Sequence, residues 1–241
     1  MILKIVFASI EKLDFRNAFE NLTLVESIEQ LGNSANEDTT YVLAAVEDQL
    51  KAVEDSGHEI YIPSTGLTAD NQSLGWHVYF DLENYPFYQK VKEVIGKEDK
   101  PKGVFRFRRI VNQYANNLLL TGDLYVLSSL LGELQGIQVK QTNQIMIPEH
   151  TIVLMDFGGG TMAHIEYTVA EQERIELEWS GIKTIIEFDS DQMRPIQQGS
   201  RTSSQISYSV DAILASAQKV DQELVTRLKY FSNLINGGAH S

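Results

Sequence analysis

The rhythm of apolar and polar positions changes part-way along this chain. Residues 3–8 form a branched apolar run broken only by Lys4, the composition of an interior parallel strand. Residues 14–31 carry helical spacing at Leu22, Val25, Ile28 and Leu31, which predicts a helix. A second short buried strand is expected over 40–45 and a helix over 46–55, stopped by Ser56-Gly57. A third strand follows over 58–62, closed by Pro63. Alternating strands and helices imply a small parallel sheet with crossover helices.

After a polar loop over 64–74, residues 76–80 read as another strand, with His77, Tyr79 and Asp81 on one face and Trp76, Val78 and Phe80 on the other. A helix is expected over 85–95, ending at Gly96. The charged stretch 97–103, with Pro101 and Gly103, then reads as a domain boundary. Beyond it the pattern becomes one strand (104–111), one apolar helix (117–131, ending at Gly132) and a run of strands over 137–142, 151–156, 161–169, 174–179 and 183–188. Turns are expected at 157–160 and 180–182. This is an α+β pattern with an open, mainly antiparallel sheet. Residues 197–207 show no clear element, and a last helix is expected over 221–235 with Asp221 as N-cap. The expected organisation is a parallel-sheet domain over 1–72, a connecting strand, helix and linker over 73–102, and an α+β domain over 103–241.

Composition narrows the function. There is no cysteine, which excludes thiolate chemistry and fits a reducing compartment. Thirty-three acidic against 20 basic residues give a net charge of −13, a surface that repels nucleic acid and anionic membranes. The apolar stretch over 2–10 lacks the length and cleavage site of a signal peptide, and no window approaches the ~20 apolar residues of a membrane span. The expectation is a cytoplasmic protein with neither nucleic acid nor membrane as partner.

Four segments of the second part, in order, carry a family resemblance: Gly103-Val104-Phe105-Arg106-Phe107-Arg108; residues 123–133, ending in Leu-Leu-Gly-Glu; residues 157–166, beginning Phe-Gly-Gly-Gly; and residues 174–177 with the Gly-Ile-Lys turn before 184–187. Together they resemble the C-terminal domain of the Gfo/Idh/MocA oxidoreductases. The resemblance implies a Rossmann-like first domain that holds NAD or NADP, here reduced in length, and a sheet domain that shapes a sugar- or polyol-like substrate site. It also implies oligomerisation through the open sheet face.

The family's chemical landmarks are missing. A dinucleotide pyrophosphate needs a glycine-rich turn after the first strand, where the backbone approaches closely and a helix N-terminus supplies donors. Residues 8–14 read Ala-Ser-Ile-Glu-Lys-Leu-Asp, and Gly32 is the first glycine in the chain. The lysine of the family's Glu-Lys-Pro tripeptide, which would handle a proton near the reacting carbon, falls on or near Pro63. The family's aspartate and histidine, counted back from Gly132, fall on Leu118 and Gly122. Asp123 next to them does not restore the proton donor.

The remaining polar residues have two readings each. His77 and Tyr79 face a ligand, or they form the wet face of a half-exposed strand. Arg106 and Arg108 meet an anionic molecule, or they pair across strands with acids such as Glu166 and Glu187. His164 and Glu166, two apart on a strand, lack the further ligands a metal site requires. His77, Tyr79, Arg108 and Asp123 are the candidate cleft residues; no catalytic or metal-binding residue is assigned. The expected function is a catalytically degenerate family relative acting as a small-molecule-binding or partner subunit, with no cofactor. The alternative is an active oxidoreductase using NAD or NADP through non-standard contacts. The apolar residues Val153, Met155, Ile165, Tyr167, Ile186 and Phe188 suggest a second sheet face to cover, and hence a homodimer or a heteromer with a full-length relative.

Overall fold

The computed structural model describes residues 3–7, 10, 12–14, 22–27, 30, 39–43, 47–54, 57–68, 74–97, 101–111, 117–142, 149–191 and 206–237. It divides into two compact units, Met1–Tyr85 with Ser207–Thr226, and Pro86–Ile206 with Arg227–Ser241.

The first unit contains β1 (Leu3–Phe7), β2 (Leu22–Val25), β3 (Thr39–Val42), α1 (Glu47–Val53), β4 (Glu59–Pro63), β5 (His77–Tyr79), α2 (Asp81–Asn84), α5 (Val210–Ser216) and β12 (Gln218–Lys219). Its sheet runs β12-β5-β4-β3-β1-β2. The five strands from β1 to β5 are parallel and β12 is antiparallel to β5. Successive strand residues point to opposite faces, so the burial of Ile5 with Val6 and of Tyr41 with Val42 means that both faces are covered. Lys4, the one charge within β1, pairs with Asp211 of α5 at 2.8 Å.

Two expectations change here. The helix expected over 14–31 gives way at Leu22–Val25 to a strand paired in register with Lys4–Phe7. A short Leu-Thr-Leu-Val run fits either period, and partner strands decide it; residues 15–21, 28–29 and 31 lie outside the described residues. The chain also returns to this unit after its second sheet, whereas 103–241 was expected to stay together. A seven-residue helix and a two-residue strand carry too little periodicity to be read in advance, yet β12 closes the sheet beside β5 and Val220 N–H donates to Trp76 O at 2.8 Å.

The second unit contains α3 (Pro86–Ile95), β6 (Gly103–Val111), α4 (Asn117–Leu131), β7 (Gly136–Gln141), β8 (His150–Asp156), β9 (Thr161–Val169), β10 (Arg174–Gly181), β11 (Ile185–Asp189) and, from Arg227 on, α6 (Gln222–Gly237). The sheet runs β11-β10-β6-β9-β8-β7, antiparallel except for the parallel pair β6–β9. The turn after β8 needs its glycines, because Gly158, Gly159 and Gly160 all have positive φ (68°, 63° and 93°). Gly103 is needed for space instead: a Cβ there would lie 2.4 Å from the Ser180 carbonyl oxygen. The N-cap expected at Asp221 is present, its Oδ1 accepting from Leu224 N–H at 2.8 Å.

One face of this sheet is buried and the other open. Val153, Met155, Ile165, Tyr167 and Phe188, taken from sequence as an uncovered second face, lie on the buried side. Phe87 of α3 stacks on Phe188 at 3.9 Å, and Tyr88 of α3 donates to Val126 O of α4 at 3.3 Å. Helix α4 is apolar almost all round, burying Leu120, Leu124, Val126, Leu127 and Leu131, so it covers more than a single amphipathic stripe would. No helix among the described residues is long and apolar enough to cross a membrane.

Candidate functional site

In an open parallel sheet, ligands bind beyond the carboxyl ends of the strands, where neighbouring strands connect in opposite directions. In the first unit that point lies beside β1, which is flanked by β2 and β3. The described chain beyond β1 begins no helix at 12–14. Ile10 and Leu13 are buried, and Leu13 N–H donates to Ile10 O at 3.2 Å. Leu13 forms a parallel bridge with Tyr208: Asp14 N–H donates to Tyr208 O at 2.9 Å, and Tyr208 N–H to Lys12 O at 3.0 Å.

A polar cluster completes this edge. The Tyr208 hydroxyl donates to Asp81 Oδ1 at 3.0 Å, and Lys12 Nζ lies 3.2 Å from Asp81 Oδ2. Tyr79 donates to Leu43 O, just past β3, at 3.1 Å. Burial first, and the Asp81 carboxylate second, hold the Tyr79 and Tyr208 hydroxyls well above the usual tyrosine range. At neutral pH both hydroxyls are protonated and donate, Tyr79 to Leu43 O and Tyr208 to Asp81 Oδ1.

The four candidate cleft residues separate. His77 is half-buried in β5, stacks on Tyr61 at 4.8 Å, and has a buried Nδ1 with no hydrogen-bond partner among the described residues. Tyr79 is 1% exposed, so the wet strand face expected from alternation is not there; β5 is covered on both faces, and Asp81 already belongs to α2. In the second unit Arg108 and Asp123 lie on opposite sides of the sheet. Asp123 is buried against Arg109 (2.8 Å to Nη1) and accepts from the Tyr167 hydroxyl, while Arg109 also reaches Glu173 at 3.0 Å. Arg108 is on the open face, 3.8 Å from Glu166 and 3.7 Å from Glu176, the cross-strand pairing considered from sequence.

That open face holds a shallow hollow of about 590 Å³ crossed by ion pairs: Arg106 with Glu178 at 2.6 Å, Arg174 with Glu176 and Asp189, each at 2.8 Å, and His164 with Glu166 at 3.4 Å when the imidazole is protonated. Beside it Ile152, Leu154 and Met162 are 38%, 41% and 47% exposed. No cluster of three or more metal-ligating side chains occurs among the described residues.

Sequence reasoning missed the Lys12–Asp81–Tyr208 cluster. Nothing local marks it, because its members lie far apart in the chain and Tyr208 adjoins a stretch with no readable pattern.

No family model and no curated protein matches the sequence. Solved structures do. A dehydrogenase from Chromobacterium violaceum matches with a TM-score of 0.61 at 10% identity, over 98% of this chain and 95% of that one. The chain has the two-domain fold of the Gfo/Idh/MocA dehydrogenases. Scyllo-inositol dehydrogenase from Lactobacillus casei, solved with NAD(H) and scyllo-inositol, matches at 0.56 and 13% identity over 98% and 90% of the two chains. Levoglucosan dehydrogenase, solved with NADH and L-sorbose, matches at 0.54 and 11% identity over 99% and 91%.

The residues present here do not fit a dinucleotide pyrophosphate. Residues 8–14 contain no glycine to let a phosphate approach. The amides of Leu13 and Asp14 donate to the carbonyls of Ile10 and Tyr208.

Proposed function

We propose that this protein is a non-catalytic relative of the sugar and polyol dehydrogenases whose fold it has, acting as a binding or partner subunit without a nicotinamide cofactor. One observation carries the reading: Lys12 and Asp14, shortly after β1, are bonded to the backbone of Tyr208, on the side where a dinucleotide-binding fold offers amides to phosphate. The resemblance supports it: carried over residue by residue, it puts Pro63 at or near the lysine position, and Leu118 and Gly122 where the aspartate and histidine would be. Asp123 is used in holding Arg109 and Tyr167, so it is not a replacement acid.

The partner meets the open face of the second sheet, through Ile152, Leu154 and Met162, with the neighbouring ion pairs fixing orientation. A second copy of the chain, in a reducing cytoplasmic setting, is the simplest occupant. The test has two arms. Purified protein incubated with NAD+ or NADP+ and a panel of polyols and sugars should produce no reduced nicotinamide; measurable turnover would refute the non-catalytic reading. Light scattering should show a dimer that Leu154→Arg converts to monomer, and a wild-type monomer would remove the second copy as partner.

A further inference from the structure

Tyr208 is tied to both ends of a gap. Its backbone is bonded to Lys12 and Asp14, past the end of β1, and its hydroxyl to Asp81, past the end of β5. In the sheet, β3 and β4 lie between β1 and β5. Both anchor points lie past the carboxyl ends of strands of this parallel sheet, so Tyr208 sits on the side where open parallel sheets have their ligand crevice, beside β1. Its ring is 3% exposed, 6.4 Å from the ring of Tyr79 and 5.6 Å from that of Tyr85. Tyr79 itself reaches the end of β3 through Leu43.

We propose that residues 207–209 are an internal occupant of this crevice, with Tyr208 standing in for a ligand's ring, and that a ligand enters only when this short segment withdraws. The proposal rests on the reading that no dinucleotide fills the site. The surroundings name the ligand class. An aromatic ring is packed by Tyr79 and Tyr85, and a hydroxyl or amino group on it would donate to Asp81, whose other oxygen is held by Lys12. That describes a phenol or an aromatic amine of about one ring. Ser209, which caps α5 by accepting from Ala212 N–H at 3.1 Å, marks the hinge side.

The test uses the full chain as wild type, Tyr208→Ala and Tyr208→Phe, each titrated with 4-methylphenol while the thermal midpoint is followed. Removing the ring leaves an aromatic-lined space of the kind that binds small aromatics. The Tyr208→Ala protein should be stabilised saturably by several degrees. Wild type and Tyr208→Phe, which keep a ring in place, should not respond. A folded Tyr208→Ala protein that does not respond, or an equal shift in all three, overturns the proposal.

Hydrogen exchange on the wild type covers the case in which the alanine variant does not fold. The amides of Asp14 and Tyr208 should open at least about tenfold more often than those of β3 and β4, as a locally unlatching segment does. Equal protection would make the segment a permanent part of the fold and overturn withdrawal. NADH in parallel separates the two readings. Binding to the wild type contradicts the non-catalytic reading, whereas binding to Tyr208→Ala alone supports the occupant and shows that the missing glycines are no barrier.

Discussion

The two sheets of this protein use their polar residues in opposite ways. In the first unit the strands are buried on both faces, and the polar groups at their carboxyl ends hold the chain to itself: Tyr79 to Leu43, Tyr208 to Asp81, and Asp14 to the Tyr208 backbone. In the second unit one face is buried, with an ionic cluster at Arg109, and the other is open and crossed by exposed ion pairs. The difference shows on one strand. Arg108 and Arg109 are neighbours in β6, yet the first has 44% of its side chain exposed and acids 3.7–3.8 Å away, while the second is fully buried at 2.8 Å from Asp123. Their chemistry is the same; burial decides what each is worth. The first sheet thus spends its polar groups inward, while the second leaves a face of ion pairs exposed.

The sharpest break in that contrast is at Asp123. Asp123→Ala leaves Arg109 buried beside a lost partner, and should cost about 3–5 kcal/mol in denaturant unfolding. A loss below about 1 kcal/mol would mean that the cluster is not desolvated as described.

Alkaline titration follows in size. Burial raises the hydroxyls of Tyr79, Tyr167 and Tyr208 in the folded protein, helped by Asp81 at Tyr79 and Tyr208 and by Asp123 at Tyr167. The unfolded chain releases these protons near pH 10 while the folded chain keeps them, so stability is fully present below about pH 10 and lost as pH rises towards the folded values. The expected slope is about 1.4 kcal/mol per pH unit for each tyrosine. A flat profile up to pH 11 would contradict their burial.

A smaller effect is expected at Gly103→Ala, where the new Cβ meets the β10 backbone and the strands must part, at about 1–3 kcal/mol in unfolding. The smallest is at Arg106→Ala on the open face. Despite a 2.6 Å contact with Glu178 the side chain is half exposed, so unfolding stability should change by at most about 1 kcal/mol.

The second unit was readable in the sequence because its strands run five to nine residues and its turns carry glycines; α4 was expected at Asn117–Leu131 and is found there. The first unit was readable only as an alternation of strands and helices. Leu22–Val25 is too short to show a period and becomes a strand through its pairing with β1. The departures at residues 8–14, Pro63, Leu118 and Gly122 were read through the family resemblance, each as a local difference from its pattern. The Tyr208 segment could not be read so, because it depends on residues some two hundred positions apart meeting at one sheet edge. The buried role of Asp123 was hidden for a similar reason: a charged residue in an apolar helix gives no sign of the arginine that will meet it.

Equilibrium titration of the purified protein with NADH and NADPH, followed by nicotinamide fluorescence and thermal midpoint, tests the central claim most directly. The closed edge predicts no saturable change at millimolar cofactor. Saturable binding at micromolar concentration would contradict it, and would require the segment after β1 to leave Tyr208 and turn its amides towards phosphate.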